Sequence, residues 1–173
     1  MSRLVLPRYT VVRDTREKKG YGWWFEEHTR ANRRPPNCDG TVEETLSAGD
    51  YSLVGYEDIL AIERKEHFSE LWTNYDERDR FEIELEKLSK LKYAYVLIEA
   101  DLTPDILSLS PPQYRTKAPG KALIRWLMQL SVKYDVHIMP VGQCGRKMAQ
   151  LIFEEVVRHE RDRWVPRNKA VGS

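Results

Sequence analysis

The sequence predicts a three-layer α/β domain with a mixed central sheet. Three observations lead there. A run of β-branched and apolar segments fills residues 9 to 65. After Lys65 the apolar spacing changes from period two to periods three and four, the mark of helix. The nearly unbroken apolar run Tyr93 to Ile98 suits a strand covered on both faces. A group of strands followed by helix, strand, helix, strand and helix packs most simply as a sheet between helical layers.

The elements follow in order. Tyr9 to Arg13 reads as a first strand, ending at the polar cluster Asp14-Thr15-Arg16-Glu17. A polar cluster at a strand's carboxyl end is where α/β folds place their chemistry. Trp23 to Ala31 reads as a short helix stopped by Pro35 and Pro36. The interleaved aromatics and arginines there, with Arg33 and Arg34, offer a possible grip on single-stranded nucleic acid. The competing reading is two tryptophans capping a core edge. Thr41 to Leu46 is a second strand.

Gly49 to Lys65 then reads as a hairpin, with Tyr51 to Tyr56 going out, Glu57 and Asp58 turning, and Ile59 to Ile62 returning. Phe68, Leu71, Trp72 and Tyr75 mark one helix face; Phe81, Leu85 and Leu88 resume the spacing after the charged break Asp76 to Asp79. Glu82, Glu84 and Glu86 read as a solvated face. Three prolines make 102 to 118 a loop with at most a helical turn. A helix from about Pro119 to Tyr134 buries Leu123, Leu127 and Leu130. Val136 to Pro140 is a last strand, and Arg146 to Arg161 a last helix with Met148, Leu151, Ile152, Val156 and His159 on one side.

The 173 residues are expected to form one domain, with a core of about 9–160 and a frayed basic tail at 165–173. Basic and acidic residues number 28 and 27, so any DNA-binding surface must come from segregation of charge, not from excess. Cys38 and Cys144 form no metal or redox spacing, and His28 with Cys38 completes no zinc set. No signal peptide and no apolar run long enough for a membrane span is visible, which points to the cytoplasm, or the nucleus in a eukaryote.

The chemistry concentrates in the hairpin. An antiparallel pair brings its open ends together, so Asp50 should lie beside Glu63 and Lys65. Residues two apart on a strand share a face, so Glu63 and Lys65 point the same way and Arg64 the other. Phosphodiester cleavage needs carboxylates for a divalent metal and a cation near the phosphate. Asp50 and Glu63 supply the first and Lys65 the second, with Asp14 able to add a third acid. Oxygen donors favour Mg²⁺ or Mn²⁺ over zinc. Crowded carboxylates without a metal should show a raised pKa.

Val12-Arg13-Asp14-Thr15-Arg16-Glu17, Gly49-Asp50-Tyr51 and Ile62-Glu63-Arg64-Lys65 together resemble the XPF-type structure-specific endonucleases, whose motifs are V-D-x-R-E, G-D-[YF] and E-R-K-x-x-x-D. Arg80-Phe81 and the strand ending at Glu99 resemble that family's Arg-bearing helix and apolar strand. The resemblance spans about residues 9 to 157. It implies a restriction-endonuclease-like fold and metal-dependent cleavage of branched, flapped or junction DNA. It implies Asp14, Asp50 and Glu63 as metal ligands and Lys65 as catalytic. Arg16, Arg64 and Arg80 would support phosphate binding or site geometry. A homodimer or heterodimer through the last helices is also implied.

Three departures stand out. Arg13 separates the usual Val and Asp, Ser69 stands where the family has an Asp, and Glu70 lies next to it. Ser69 suits a helix cap; Glu70 could reach the site only from another angle. No helix-hairpin-helix or helicase module follows, so the expectation is a stand-alone form like those of phage and mobile elements. Two competing readings remain: an inactive DNA-binding or scaffolding subunit, and another restriction-like nuclease such as a junction resolvase. The intact acidic set argues against the first. The Arg between Glu63 and Lys65 argues against the second, where that residue is usually apolar.

Overall fold

The computed structural model describes residues 6–17, 20–26, 33–105 and 120–161. These carry strands β1 (Tyr9–Asp14), β2 (Cys38–Glu44), β3 (Tyr51–Leu53), β4 (Leu60–Lys65), β5 (Tyr93–Ile98) and β6 (His137–Pro140). The helices among them are α1 (Phe68–Asp76), α2 (Arg78–Leu88), α3 (Gly120–Tyr134) and α4 (Gly145–His159). A 3-10 turn at Gly142–Cys144 leads into α4.

The strands form one sheet in the order β2-β1-β3-β4-β5-β6. β3 is antiparallel to both its neighbours, and all other pairs are parallel. The predicted mixed sheet is therefore present. Its direction matters for the chemistry. β1, β4, β5 and β6 all end at one edge, and β3 begins there. Asp14, Asp50, Glu63 and Lys65 thus collect at that edge from three strands.

Alternation along the strands builds two cores. On one face Ala61, Ala94, Val96 and Ile98 pack against Trp72 of α1, Phe81 of α2 and Trp126 of α3. On the other, Val11, Tyr51, Leu60, Ile62 and Leu97 pack against Trp23, Phe25 and the Phe153 side of α4. Helices thus cover both faces, which completes the three layers.

The structure moves several sequence boundaries. The outgoing hairpin strand stops at Leu53 instead of Tyr56. Tyr56 N–H bonds the Leu53 carbonyl, and the Tyr56 carbonyl accepts from Ile59 and Leu60, so 54–59 is a turn. The second strand is Cys38–Glu44, earlier than 41–46, because β1 pairs it from Tyr9 onward. Residues 23–26 are not helical; the rest of the predicted 23–31 helix lies outside the described residues. Trp23 N–H bonds the Tyr51 hydroxyl and Phe25 N–H the Thr41 hydroxyl, tying this segment to the sheet. In α4, Leu151 and His159 are exposed beside buried Ile152 and Val156, and the helix ends at His159 instead of Arg161. Of the predicted 102–118 loop, residues 106–118 lie outside the described residues, as does the chain beyond 161.

Candidate active site

Asp50 sits just ahead of β3, where Gly49 adopts a positive φ of 70° and packs against the Ile62 carbonyl. A Cβ there would lie 3.1 Å from that oxygen, so the bend and the close approach both call for glycine. Asp50 N–H donates to the Ile62 carbonyl at 2.9 Å, and Asp50 Oδ2 accepts from Arg64 N–H at 2.7 Å. These two bonds hold the Asp50 carboxylate against β4. The hairpin brings Asp50 and Glu63 together as the sequence predicted.

Glu63 and Lys65 share a face. Lys65 Nζ lies 2.7 Å from Glu63 Oε1 and 3.4 Å from Glu84 Oε2 of α2, over the Phe81 ring at 5.3 Å. Burial opposes the Lys65 charge, but Glu63 and then Glu84 outweigh it and raise its pKa. Lys65 is therefore an ammonium at neutral pH and acts as a cation. Burial, then the negative Glu63, pushes the Asp50 carboxyl well above the usual carboxylate range; the Arg64 N–H bond opposes this. Burial likewise raises Glu63, against the pull of Lys65. The raised carboxyls expected of a crowded acidic site are present, with desolvation ahead of mutual repulsion as the cause.

Asp14 behaves differently. It is 1% exposed and both its oxygens are occupied. Oδ1 accepts from Arg16 N–H and Nε, both at 2.7 Å; Oδ2 accepts from Arg16 Nη2 at 2.9 Å and Leu46 N–H at 2.7 Å. Burial raises its pKa, but the Arg16 side chain and the Leu46 and Arg16 amides outweigh burial and hold it low. Asp14 fastens the loop after β1 to Leu46. Arg16 remains largely exposed, within electrostatic reach of Asp50 and Glu63.

Arg64 points to the opposite face, as strand alternation requires. It pairs with Glu99 at 2.6 Å and with Glu17 and Glu66 at 3.4 Å, over the Trp23 ring. Arg80 does not join the site; it is exposed and pairs with Glu77 at 3.6 Å. Arg33 and Arg34 are exposed on the connection before β2, and the Arg33 carbonyl accepts from Arg146. Trp23 and Phe25 are buried, so the core-edge reading holds for them and they offer no stacking platform. Glu70 caps α1, accepting His67 N–H at 2.9 Å, and does not replace the missing acid.

Two residues were missed by sequence reasoning. Glu84, taken for solvated surface, reaches Lys65 because it sits on α2 between the turns of buried Phe81 and Leu85. That adjacency to the apolar stripe was the available signal. Glu99 was seen only as a strand end.

Among the described residues, no group of three or more His, Cys, Asp or Glu side chains is arranged to hold a metal ion. The donor chemistry at the edge still fits one. Asp50 and Glu63 each commit one oxygen to a protein donor, and the other has no protein partner among the described residues. Hard oxygen donors on two desolvated carboxyls suit Mg²⁺ or Mn²⁺.

The ERCC4 domain model matches residues 13–143, from the Asp14 cluster past the last strand. The chain belongs to the ERCC4 domain family. Two solved structures share its architecture. XPF from Aeropyrum pernix matches at a TM-score of 0.55 and 19% identity, over 88% of this chain and 65% of that one. XPF from Aeropyrum pernix in complex with DNA matches at a TM-score of 0.57 and 18% identity, over 93% and 69%. This ERCC4 domain thus has the restriction-endonuclease-like fold and spans about two thirds of the solved chains. No curated protein matches it.

Proposed function

We propose that this domain is a divalent-metal-dependent DNA endonuclease that hydrolyses phosphodiesters in branched, flapped or junction DNA. The observation that carries this is the gathering of Asp50, Glu63 and Lys65 at one sheet edge inside an ERCC4 domain. The similar XPF structure solved with DNA supports a DNA substrate.

Asp50 and Glu63 would hold the cation through the oxygens not committed to Arg64 N–H and Lys65. Bound there, Mg²⁺ or Mn²⁺ supplies a more acidic water and positive charge at the phosphate. Lys65, kept protonated, stands beside Glu63 as a fixed positive charge for the developing phosphorane charge. Arg16 presents an exposed guanidinium anchored on Asp14, suited to a backbone phosphate. Asp14 supports the site through Arg16 and Leu46; as a direct ligand it would have to give up bonds it makes here.

The scaffold reading is disfavoured by cost. Two desolvated carboxylates are expensive to keep, and a site that never binds cations would gain from neutral residues. Pairing between copies is proposed at the groove lined by Tyr93, Tyr95, Leu151, Ile152 and Val156, between β5 and α4. On the membrane question, no described helix is long and apolar enough to cross one.

The test is cleavage of labelled linear, flapped and four-way substrates with Mg²⁺, Mn²⁺ or EDTA. Flap or junction cutting that needs metal and disappears in Asp50→Asn and Glu63→Gln is expected, with circular dichroism unchanged. Activity that survives EDTA would remove the metal mechanism. Equal cutting of linear duplex would remove structure specificity alone.

A further inference from the structure

Behind the proposed catalytic edge, on the opposite face of the sheet, lies a half-buried polar knot. It joins residues from four distant segments. Glu99, one residue past β5, accepts Trp23 Nε1–H on Oε1 at 2.9 Å and Arg64 Nε–H on Oε2 at 2.7 Å. Arg64 Nη2 approaches the same oxygen, Oε2, at 2.6 Å, while Oε1 is left to Trp23. Glu99 N–H donates to the Lys65 carbonyl at 2.8 Å. Glu99 therefore touches β4 twice, once through Arg64's side chain and once through Lys65's backbone. Gly145, the first residue of α4, closes the knot; a Cβ there would lie 2.7 Å from both Glu99 Oε1 and Trp23 Cζ2.

We infer that Glu99 is a positioning residue for the proposed nuclease site, fixing the Glu63-Arg64-Lys65 backbone from the rear face of the sheet through Arg64. This rests on the nuclease reading of the front face. The path is short, running from Glu99 to the Arg64 side chain and through its backbone to Asp50. Arg64 N–H holds Asp50 Oδ2, and the residues on either side of Arg64 are Glu63 and Lys65. Arg64's other acidic neighbours, Glu17 and Glu66, stand farther off at 3.4 Å. Arg64 Nη1 already donates a long bond to Glu17, so with Glu99 gone the guanidinium loses its two shortest contacts and is drawn toward Glu17 and Glu66, which loads Arg64's peptide. A displacement of 1 Å at such a peptide is of the size that impairs a preorganised site. The Arg in this triplet thus serves geometry by way of Glu99.

The experiment compares Glu99→Ala, Trp23→Phe, Arg64→Ala and the Glu99→Ala/Arg64→Ala double variant in the full chain. Three readouts are used on samples with native circular dichroism. The first is hydrogen exchange of the Arg64 amide, which needs neither metal nor DNA. In Glu99→Ala it should speed up by about tenfold or more beyond any change in global stability. The second is Mn²⁺ affinity by calorimetry, and the third kcat and KM on a flapped duplex. Glu99→Ala should weaken Mn²⁺ binding and lower kcat by roughly 10- to 100-fold, as loss of a supporting partner does, with KM nearly unchanged. Trp23→Phe breaks the same knot without freeing Arg64 and should leave all three near wild type. The double variant should be no worse than Arg64→Ala, because Glu99 acts through Arg64. Additive losses, or equal effects from Trp23→Phe and Glu99→Ala, would overturn the proposal. If the wild type neither binds Mn²⁺ nor cuts DNA, the nuclease reading fails. The Arg64 amide result then still decides whether Glu99 positions the peptide.

Discussion

Asp50 shows at the residue scale what the site costs. Burial and Glu63 raise its pKa, so ionised Asp50 destabilises the metal-free fold. The sign follows from linkage. With the folded pKa above the unfolded value of about 3.8, the penalty is absent below that value. It grows as pH rises to the folded pKa and is constant above it. Asp50→Asn keeps an acceptor for Arg64 N–H and loses the charge. It should raise metal-free stability at pH 8 by about 1 kcal/mol, or roughly 3 °C in a chain of this size, while abolishing cleavage. The gain should shrink as pH falls toward 4. Thermal melts across pH check this, and a drop in melting temperature at pH 8 would contradict it. Asp14 has the opposite sign. Its pKa is held low, so its contribution is full above about 3.8 and fades as pH falls through the folded value.

Among the elements, α4 depends on its first residue. Alanine normally suits a helix better than glycine by up to about 1 kcal/mol. At Gly145, however, a Cβ meets the Trp23 ring and Glu99 at 2.7 Å. The clash should win, and Gly145→Ala should destabilise by about 1–3 kcal/mol in urea unfolding. A neutral or stabilising result would show that the Trp23 segment yields easily. The α1 cap makes a smaller prediction. Removing the Glu70 acceptor with Glu70→Ala should cost about 1 kcal/mol and leave cleavage intact, since Glu70 bonds His67 N–H and not the site. Loss of activity with stability unchanged would place Glu70 in the chemistry after all.

For the whole molecule, the basic and acidic totals nearly cancel, so the proposed DNA contact depends on segregated charge and not on net charge. The edge that carries Asp50 and Glu63 also presents exposed Arg16, while the groove between β5 and α4 has exposed Leu151. If two copies pair there, Leu151→Glu should convert a dimer to a monomer in light scattering while the monomer keeps its circular dichroism. A wild type that is monomeric at all concentrations would remove that surface from consideration.

Much of this was legible in the chain. The change of period after Lys65, the apolar run at β5 and the spacing of Asp50, Glu63 and Lys65 are local or nearly local signals. Side-chain direction on a strand follows from its period alone. Those features predicted the layers, the mixed sheet and the front of the site. Tertiary structure alone decided the rest, because it depends on pairs far apart in sequence. Asp14 spends both oxygens on Arg16 and Leu46, Glu84 reaches Lys65 from α2, and Trp23 turns inward to Glu99. No periodicity encodes which donor finds a given carboxylate. That choice is made when the sheet closes and every buried polar group must find its partner.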